Sequence, residues 1–187
     1  MDIKGEYRIG CERQRVWQAL NDAEVLARCI PGCESVDMQG PTRLKASILA
    51  TIGPVKSKFD TQITLENLNP PVGYTLTGES KGGPAGFARG SADVRLEEID
   101  DGTLLVYDAK FQVGGKLAQI GSRLVLGATR KLADDFFGNF SRELDPGAQR
   151  GSEIGLTMDQ VPARARGMLL AVALVVVALL IWWFLIR

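Results

Sequence analysis

The sequence predicts an α+β domain over residues 1–144, a curved antiparallel sheet of about six to seven strands wrapped around one long C-terminal helix. Three observations lead there. Several segments between Leu44 and Val113 alternate apolar and polar residues, the mark of antiparallel strands with one face in water. The run from Leu117 to Leu144 repeats apolar residues at three and four positions instead. Two short helical patterns separate the first alternating stretch from the others.

Taken in order, Ile3, Gly5, Tyr7 and Ile9 alternate with Lys4, Glu6 and Arg8 in a first strand. Val16, Trp17 and Leu20, then Val25, Leu26 and Ile30, follow helical spacing; Asn21–Asp22 is the break and Asp22 the expected N-cap of the second helix. Strands are expected over Leu44–Ile52, Val55–Leu65, Tyr74–Glu79, Phe87–Glu98 and Thr103–Val113. Gly53–Pro54, Asn69–Pro70–Pro71, Lys81 to Gly86 and Asp100–Asp101–Gly102 are the turns between them. Leu117, Ile120, Leu124, Ala128, Leu132, Phe136 and Phe140 mark one face of the long helix, opened by Gly114–Gly115 and closed by Asp145–Pro146–Gly147.

Composition narrows the function. With 22 basic and 22 acidic residues, net charge implies no nucleic-acid partner. Three cysteines (Cys11, Cys29 and Cys33) and no histidine make neither a disulfide framework nor a zinc site, so no metal centre is expected. Met-Asp-Ile-Lys-Gly at the start lacks the apolar core of a signal peptide, which favours a reduced, cytoplasmic setting. The acid pairs Asp100–Asp101 and Asp134–Asp135 come without a nucleophile or a partner base, so no catalytic residue is expected.

The C-terminal region is a candidate anchor. Residues 145–167, DPGAQRGSEIGLTMDQVPARARG, read as a flexible linker with a root-mean-square reach of about 25–30 Å. Residues 168–186, MLLAVALVVVALLIWWFLI, carry no polar residue and would span about 28 Å as a helix, close to bilayer hydrocarbon thickness. Leu169, Leu174, Val176, Leu180, Trp182, Trp183 and Phe184 are the expected membrane contacts. Arg164 and Arg166 precede the span and place the domain on the cytoplasmic face of the cell membrane, in single-pass topology.

The stretches MDIKGEY at the start, VWQALND at 16–22, VLARCIPGCESV at 25–36, VGGKLAQIGSRL at 113–124 and DDFFGNFSREL at 134–144 together resemble the G-subunit family of carbon monoxide dehydrogenase, within the START-like, helix-grip superfamily of hydrophobic-ligand binders. The resemblance implies a non-catalytic accessory that recruits a molybdenum-dependent carbon monoxide dehydrogenase, or a related molybdenum hydroxylase, to the cytoplasmic membrane. Cys29, Ile30, Pro31 and Gly32 would lie in a loop near a cavity mouth, serving ligand access or partner contact. Pro31–Gly32 suit a type II turn better than a redox pair, since the cysteine spacing is not thioredoxin-like. Gly114 and Gly115 are either a plain strand-to-helix turn or a hinge beside the helix.

Small inward candidates, among them Ala50, Ala88, Gly90 and Ala92, leave volume between sheet and helix unless large residues fill it. A closed, dry core is the alternative. If a cavity exists, Phe59, Ile63, Tyr74, Tyr107, Phe111, Leu124 and Phe136 are its expected lining by alternation and size. A tethered apolar cavity suits a lipophilic molecule: the expected ligand is a respiratory quinone (menaquinone or ubiquinone) or another lipid, presented to the dehydrogenase as electron acceptor. A pure recruitment scaffold or maturation factor with a closed core, and a START-like cyclase or hydrolase, are the alternatives.

Overall fold

The six alternating stretches and one further segment form seven strands in the computed structural model, which describes residues 1–144. The chain runs β1 (Asp2–Ile9), α1 (Arg13–Leu20), α2 (Ala23–Cys29), β2 (Cys33–Met38), β3 (Arg43–Ile52), β4 (Val55–Asn69), β5 (Gly73–Lys81), β6 (Phe87–Ile99), β7 (Gly102–Gly114), α3 (Lys116–Gln119) and α4 (Ser122–Leu144). A 3-10 turn, Gly83–Ala85, lies in the β5–β6 loop. The sheet order is β1-β7-β6-β5-β4-β3-β2, and every neighbouring pair is antiparallel. Strands β2 to β7 are thus successive hairpins, while β1 crosses over to close on β7.

Local chemistry sets the helix boundaries. Asp22 caps α2 as expected, its Oδ1 accepting from the backbone N–H groups of Glu24 and Val25. At the other end of α2, Arg28 pairs with Glu143 of α4 at 2.8 Å. Asn139 of α4 donates to the carbonyl oxygen of Cys29 at 3.0 Å. One departure from the sequence pattern is β2, a strand that the alternation does not announce. It is a short edge strand whose Val36 and Met38 alone pack on an interior cluster, so its alternation is weak.

The second departure is a correction. The long helix is not continuous from Leu117: it breaks at Gly121, whose φ is +90°. In an unbroken helix Leu117 and Leu124, seven residues apart, would share a face. The left-handed residue shifts the phase of α4, so that Val125 turns inward, 2% exposed, and Leu124 is left 53% exposed. Leu117 itself stays buried, packed with Ala50, Phe59 and Ala85.

Apolar packing concentrates in three places. Ile9, Val16, Leu96, Leu105, Phe140 and Leu144 bind α1 and the end of α4 to the sheet. Leu26, Leu44 and Ala46 join α2 to β3. The Leu117 group closes the opposite end. Sheet and helix are not fully packed between these clusters. Among the described residues no helix is long and apolar enough to cross a membrane; the predicted linker 145–167 and span 168–186, with the membrane residues named in it, lie outside the described residues.

Candidate functional site

Register builds the site. Across β4, β5, β6 and β7 the inward positions align in rows, with Ile63 opposite Gly78, Gly78 opposite Gly90, and Gly90 opposite Phe111. The next row runs Thr61, Ser80, Ala88 and Val113. Glycine and alanine at the middle of each row leave space that Val125, Thr129 and Leu132 of α4 do not fill. The result is a cavity of about 360 Å³, large enough for a small organic ligand.

Three further hollows adjoin it, one of them, of about 560 Å³, lined by Met1, Asp2 and Gln112 and sharing Gly78, Gly90 and Phe111 with the main cavity. An inner one of about 240 Å³ shares Ile63 and Leu76 with the main cavity and reaches Tyr74, Val94 and Phe136. An outer groove of about 390 Å³ shares Ala50 and Leu132 with the main cavity and is bordered by Pro31, Gly32, Leu49 and Gly53. The inner hollow and the outer groove thus each adjoin the main cavity through two shared side chains.

The wall is nearly all hydrocarbon. Its inward polar groups are hydroxyls: Thr61 and Ser80 share a hydrogen bond of 2.6 Å, and Thr129 donates to the carbonyl oxygen of Val125. Arg89 and Lys110 border the cavity from the exposed face of the sheet, beside Gly78 and Gly90. No Asp, Glu or Cys lines the main cavity among the described residues. Burial pushes the Tyr74 phenol above its ordinary value, so it stays neutral.

The residues expected to line a cavity separate into three groups. Phe59, Ile63 and Phe111 line the main cavity, and Tyr74 and Phe136 line the inner hollow with Ile63. Tyr107 and Leu124 line neither. Tyr107 belongs to an aromatic stack with Tyr7 and Phe137, ring centroids 6.2 and 6.1 Å away, which fills the space between β1, β7 and α4. Leu124 points to solvent because of the break at Gly121. Thr61, Ser80, Leu76 and Leu132 also line the hollows, although selection by alternation and size passes over them. Their signal is cross-strand register, since Thr61 and Ser80 are directly paired.

The loop after α2 is a turn. Cys33 N–H donates to the Ile30 carbonyl oxygen, with Pro31–Gly32 between and Gly32 at φ +70°. Cys29 is buried in the main apolar cluster, and burial raises the thiols of Cys29 and Cys33 alike. Both are free cysteines, neither of them poised as a thiolate. Gly115, at φ +70°, begins α3, and its Cα and that of Gly86 approach so closely that a Cβ on either would collide with the other turn. Gly114 lies under the ring of Phe87. These glycines are where the β5–β6 loop and the start of α3 meet. Among the described residues no cluster of His, Cys, Asp or Glu is arranged to hold a metal.

A curved antiparallel sheet closed by one C-terminal helix over an apolar interior defines a helix-grip protein of the START-like type. The architecture matches that of a conserved protein from Geobacillus kaustophilus, with TM-score 0.73 and 33% identity over 78% of this chain and 96% of that one. It also matches the Zhui aromatase/cyclase from Streptomyces sp. R1128, with TM-score 0.58 and 12% identity over 78% and 93% of the two chains. A protein from Thermus thermophilus aligns with TM-score 0.59 and 15% identity over 77% and 97%. The last two likenesses show the fold alone. No curated protein matches this chain. The model of the CoxG family, the G subunit of carbon monoxide dehydrogenase, matches residues 5–145, and the chain belongs to that family. Membership implies association with a carbon monoxide dehydrogenase in an accessory role.

Proposed function

We propose that this protein is a membrane-tethered, non-catalytic accessory that holds a respiratory quinone and presents it to a molybdenum-dependent carbon monoxide dehydrogenase as electron acceptor. The observation that carries the reading is the apolar main cavity, adjoined by an inner hollow and an outer groove, with one hydroxyl pair in its wall. An isoprenoid tail gains about 25 cal/mol per Å² of apolar surface removed from water. In the Thr61–Ser80 pair one hydroxyl donates to the other, and the second retains a proton to offer a quinone carbonyl. Oxidation of carbon monoxide with water yields carbon dioxide, a pair of protons and a pair of electrons, which is what reduction of a quinone to a quinol consumes.

In this reading the apolar segment 168–186 holds the protein at the cytoplasmic face of the membrane, where quinones reside. A cyclase-type activity has less support, because the main cavity offers no carboxylate or imidazole to move a proton.

The test is mass spectrometry of the organic extract of full-length protein purified from its native membrane. Co-purified menaquinone or ubiquinone is expected. Protein that carries no extractable lipid and binds no added quinone overturns the reading. Deleting residues 168–187 is expected to release the protein, and part of the dehydrogenase activity, from the membrane fraction; unchanged fractionation would remove the anchor from the proposal.

A further inference from the structure

One end of the domain is built from four connections: the β3–β4 turn at Gly53–Pro54, the β5–β6 loop, the Gly114–Gly115 turn and the break at Gly121. They meet there. A Cβ at Gly53 would lie 3.6 Å from Ile120 and 3.9 Å from Leu124, and Gly86 touches Gly114 and Gly115. The segments feeding this end, residues 49–59, 80–92 and 109–133, contain lysines and arginines but no Asp or Glu, in a chain with 22 residues of each sign. Glu34, Glu79 and Asp135 reach in from outside to pair with Lys58, Lys81 and Lys131. Lys56, Lys116 and Arg123 make no ion pair among the described residues. The opposite end carries Glu97, Glu98, Asp100 and Asp101 around the β6–β7 turn.

The same end exposes apolar side chains. Leu124 is 53% exposed, Leu49 42% and Phe87 38%. Leu49 borders the outer groove, which shares Ala50 and Leu132 with the cavity, and Leu117, buried at this end, lines the cavity itself. Apolar residues set among unpaired cations, with acid at the far end, match the surface of an anionic bilayer: cations meet headgroups while the apolar side chains enter the interface.

We propose that this end of the domain docks on anionic lipid, with Lys56, Lys116 and Arg123 against headgroups and Leu124 and Phe87 in the interface, placing the groove beside the bilayer. The tether permits it. Helix α4 starts at this end and is about 35 Å long, while the 23 residues of 145–167 extend to about 80 Å at most. For its purpose the inference rests on the proposed lipophilic ligand, which would then leave or enter the cavity without crossing water. Its measurement does not depend on that ligand.

The experiment is amide hydrogen exchange of the full-length chain reconstituted in vesicles of phosphatidylcholine alone or mixed equally with phosphatidylglycerol. With phosphatidylglycerol, exchange within 53–56, 82–87 and 114–124 is expected to slow about five-fold or more, while 97–102 is unchanged. About 1 M salt, where the Debye length is about 3 Å, should abolish the protection. So should K56E/K116E/R123E, since each basic residue near an anionic surface changes partitioning about five-fold. L124N, at an exposed position, should weaken protection without altering the fold. Equal protection on neutral vesicles, no protection on either, or protection produced only by adding the dehydrogenase would overturn the proposal. The organic extract of the same sample is analysed in parallel. Protection without extractable quinone leaves the docking face standing and removes the quinone; quinone without protection does the reverse.

Discussion

Thr61 of β4 and Ser80 of β5 lie directly opposite one another and share a 2.6 Å hydrogen bond between their side-chain hydroxyls in the cavity wall. In the proposed reading this pair supplies the one hydrogen-bond donor that the wall offers to a ligand's acceptor oxygen. The variant T61V/S80A is expected to bind a short-chain quinone about two- to ten-fold more weakly, the range of one neutral hydrogen bond. Its thermal midpoint should change little. Isothermal titration and scanning calorimetry read the two effects, and unaltered affinity would place the carbonyl elsewhere.

Ala92 tests where the ligand sits. It faces Leu76 on one side and Ala109 on the other and lines the main cavity. A92L puts a branched side chain into existing space rather than into a packed core, so circular dichroism should show a melting temperature within a few degrees of the parent. Quinone binding should fall about ten-fold or more. Full binding by a folded A92L protein would exclude the main cavity as the site.

The three tyrosines make the fold sensitive to alkali. Tyr7 donates to Asp134 at 2.6 Å and stacks on Phe137 with centroids 4.1 Å apart. Burial, then the bond to Asp134, raises its phenol above the ordinary value; burial raises Tyr74 and Tyr107 in the same direction. A group whose folded pKa is raised contributes stability that is fully present below its unfolded value, about 10 for tyrosine, and is lost as pH rises toward the folded value. Urea unfolding should therefore show constant stability near neutral pH and a decline above about pH 10. Y7F should lose about 1 kcal/mol at pH 7 and show a shallower alkaline decline. A Y7F protein with the parent's alkaline slope would remove Tyr7 from this account.

Gly121 separates α3 from α4, and a Cβ there meets no atom within 4 Å. Only the backbone angle, φ +90°, restricts the residue. G121A is expected to cost about 1–2 kcal/mol in urea unfolding, the penalty for an L-residue in a left-handed conformation. Unchanged stability would mean that the helix runs through this position without strain.

Much of the fold is legible in the linear pattern because it depends on local periodicity. Strands β3 to β7 alternate strongly enough to be placed within a few residues, and Asp22 declares the start of α2 by its chemistry. The edge strand β2 is not legible, since a strand with one neighbour and two inward side chains has almost no pattern. The helix break is hidden for a related reason: Gly121 interrupts a run whose apolar spacing remains good on both sides. Counting along an unbroken helix puts Leu124 inward, and the helix does not continue through Gly121.

Phe59, Ile63, Tyr74, Phe111 and Phe136 each satisfy alternation and size, and the structure divides them between two adjoining hollows. Tyr107 alternates correctly yet lines neither, because Tyr7 and Phe137 come from distant segments to cover it. By itself the sequence determined the identity and order of the main elements, the balance of charge and the family, since each depends on residue type and spacing along the chain. Tertiary structure decided which inward positions face empty volume, that Thr61 meets Ser80, and that cations from three separate segments gather at one end. Those are products of strand register and of the turn at Gly121, and neither is encoded in any single stretch of sequence.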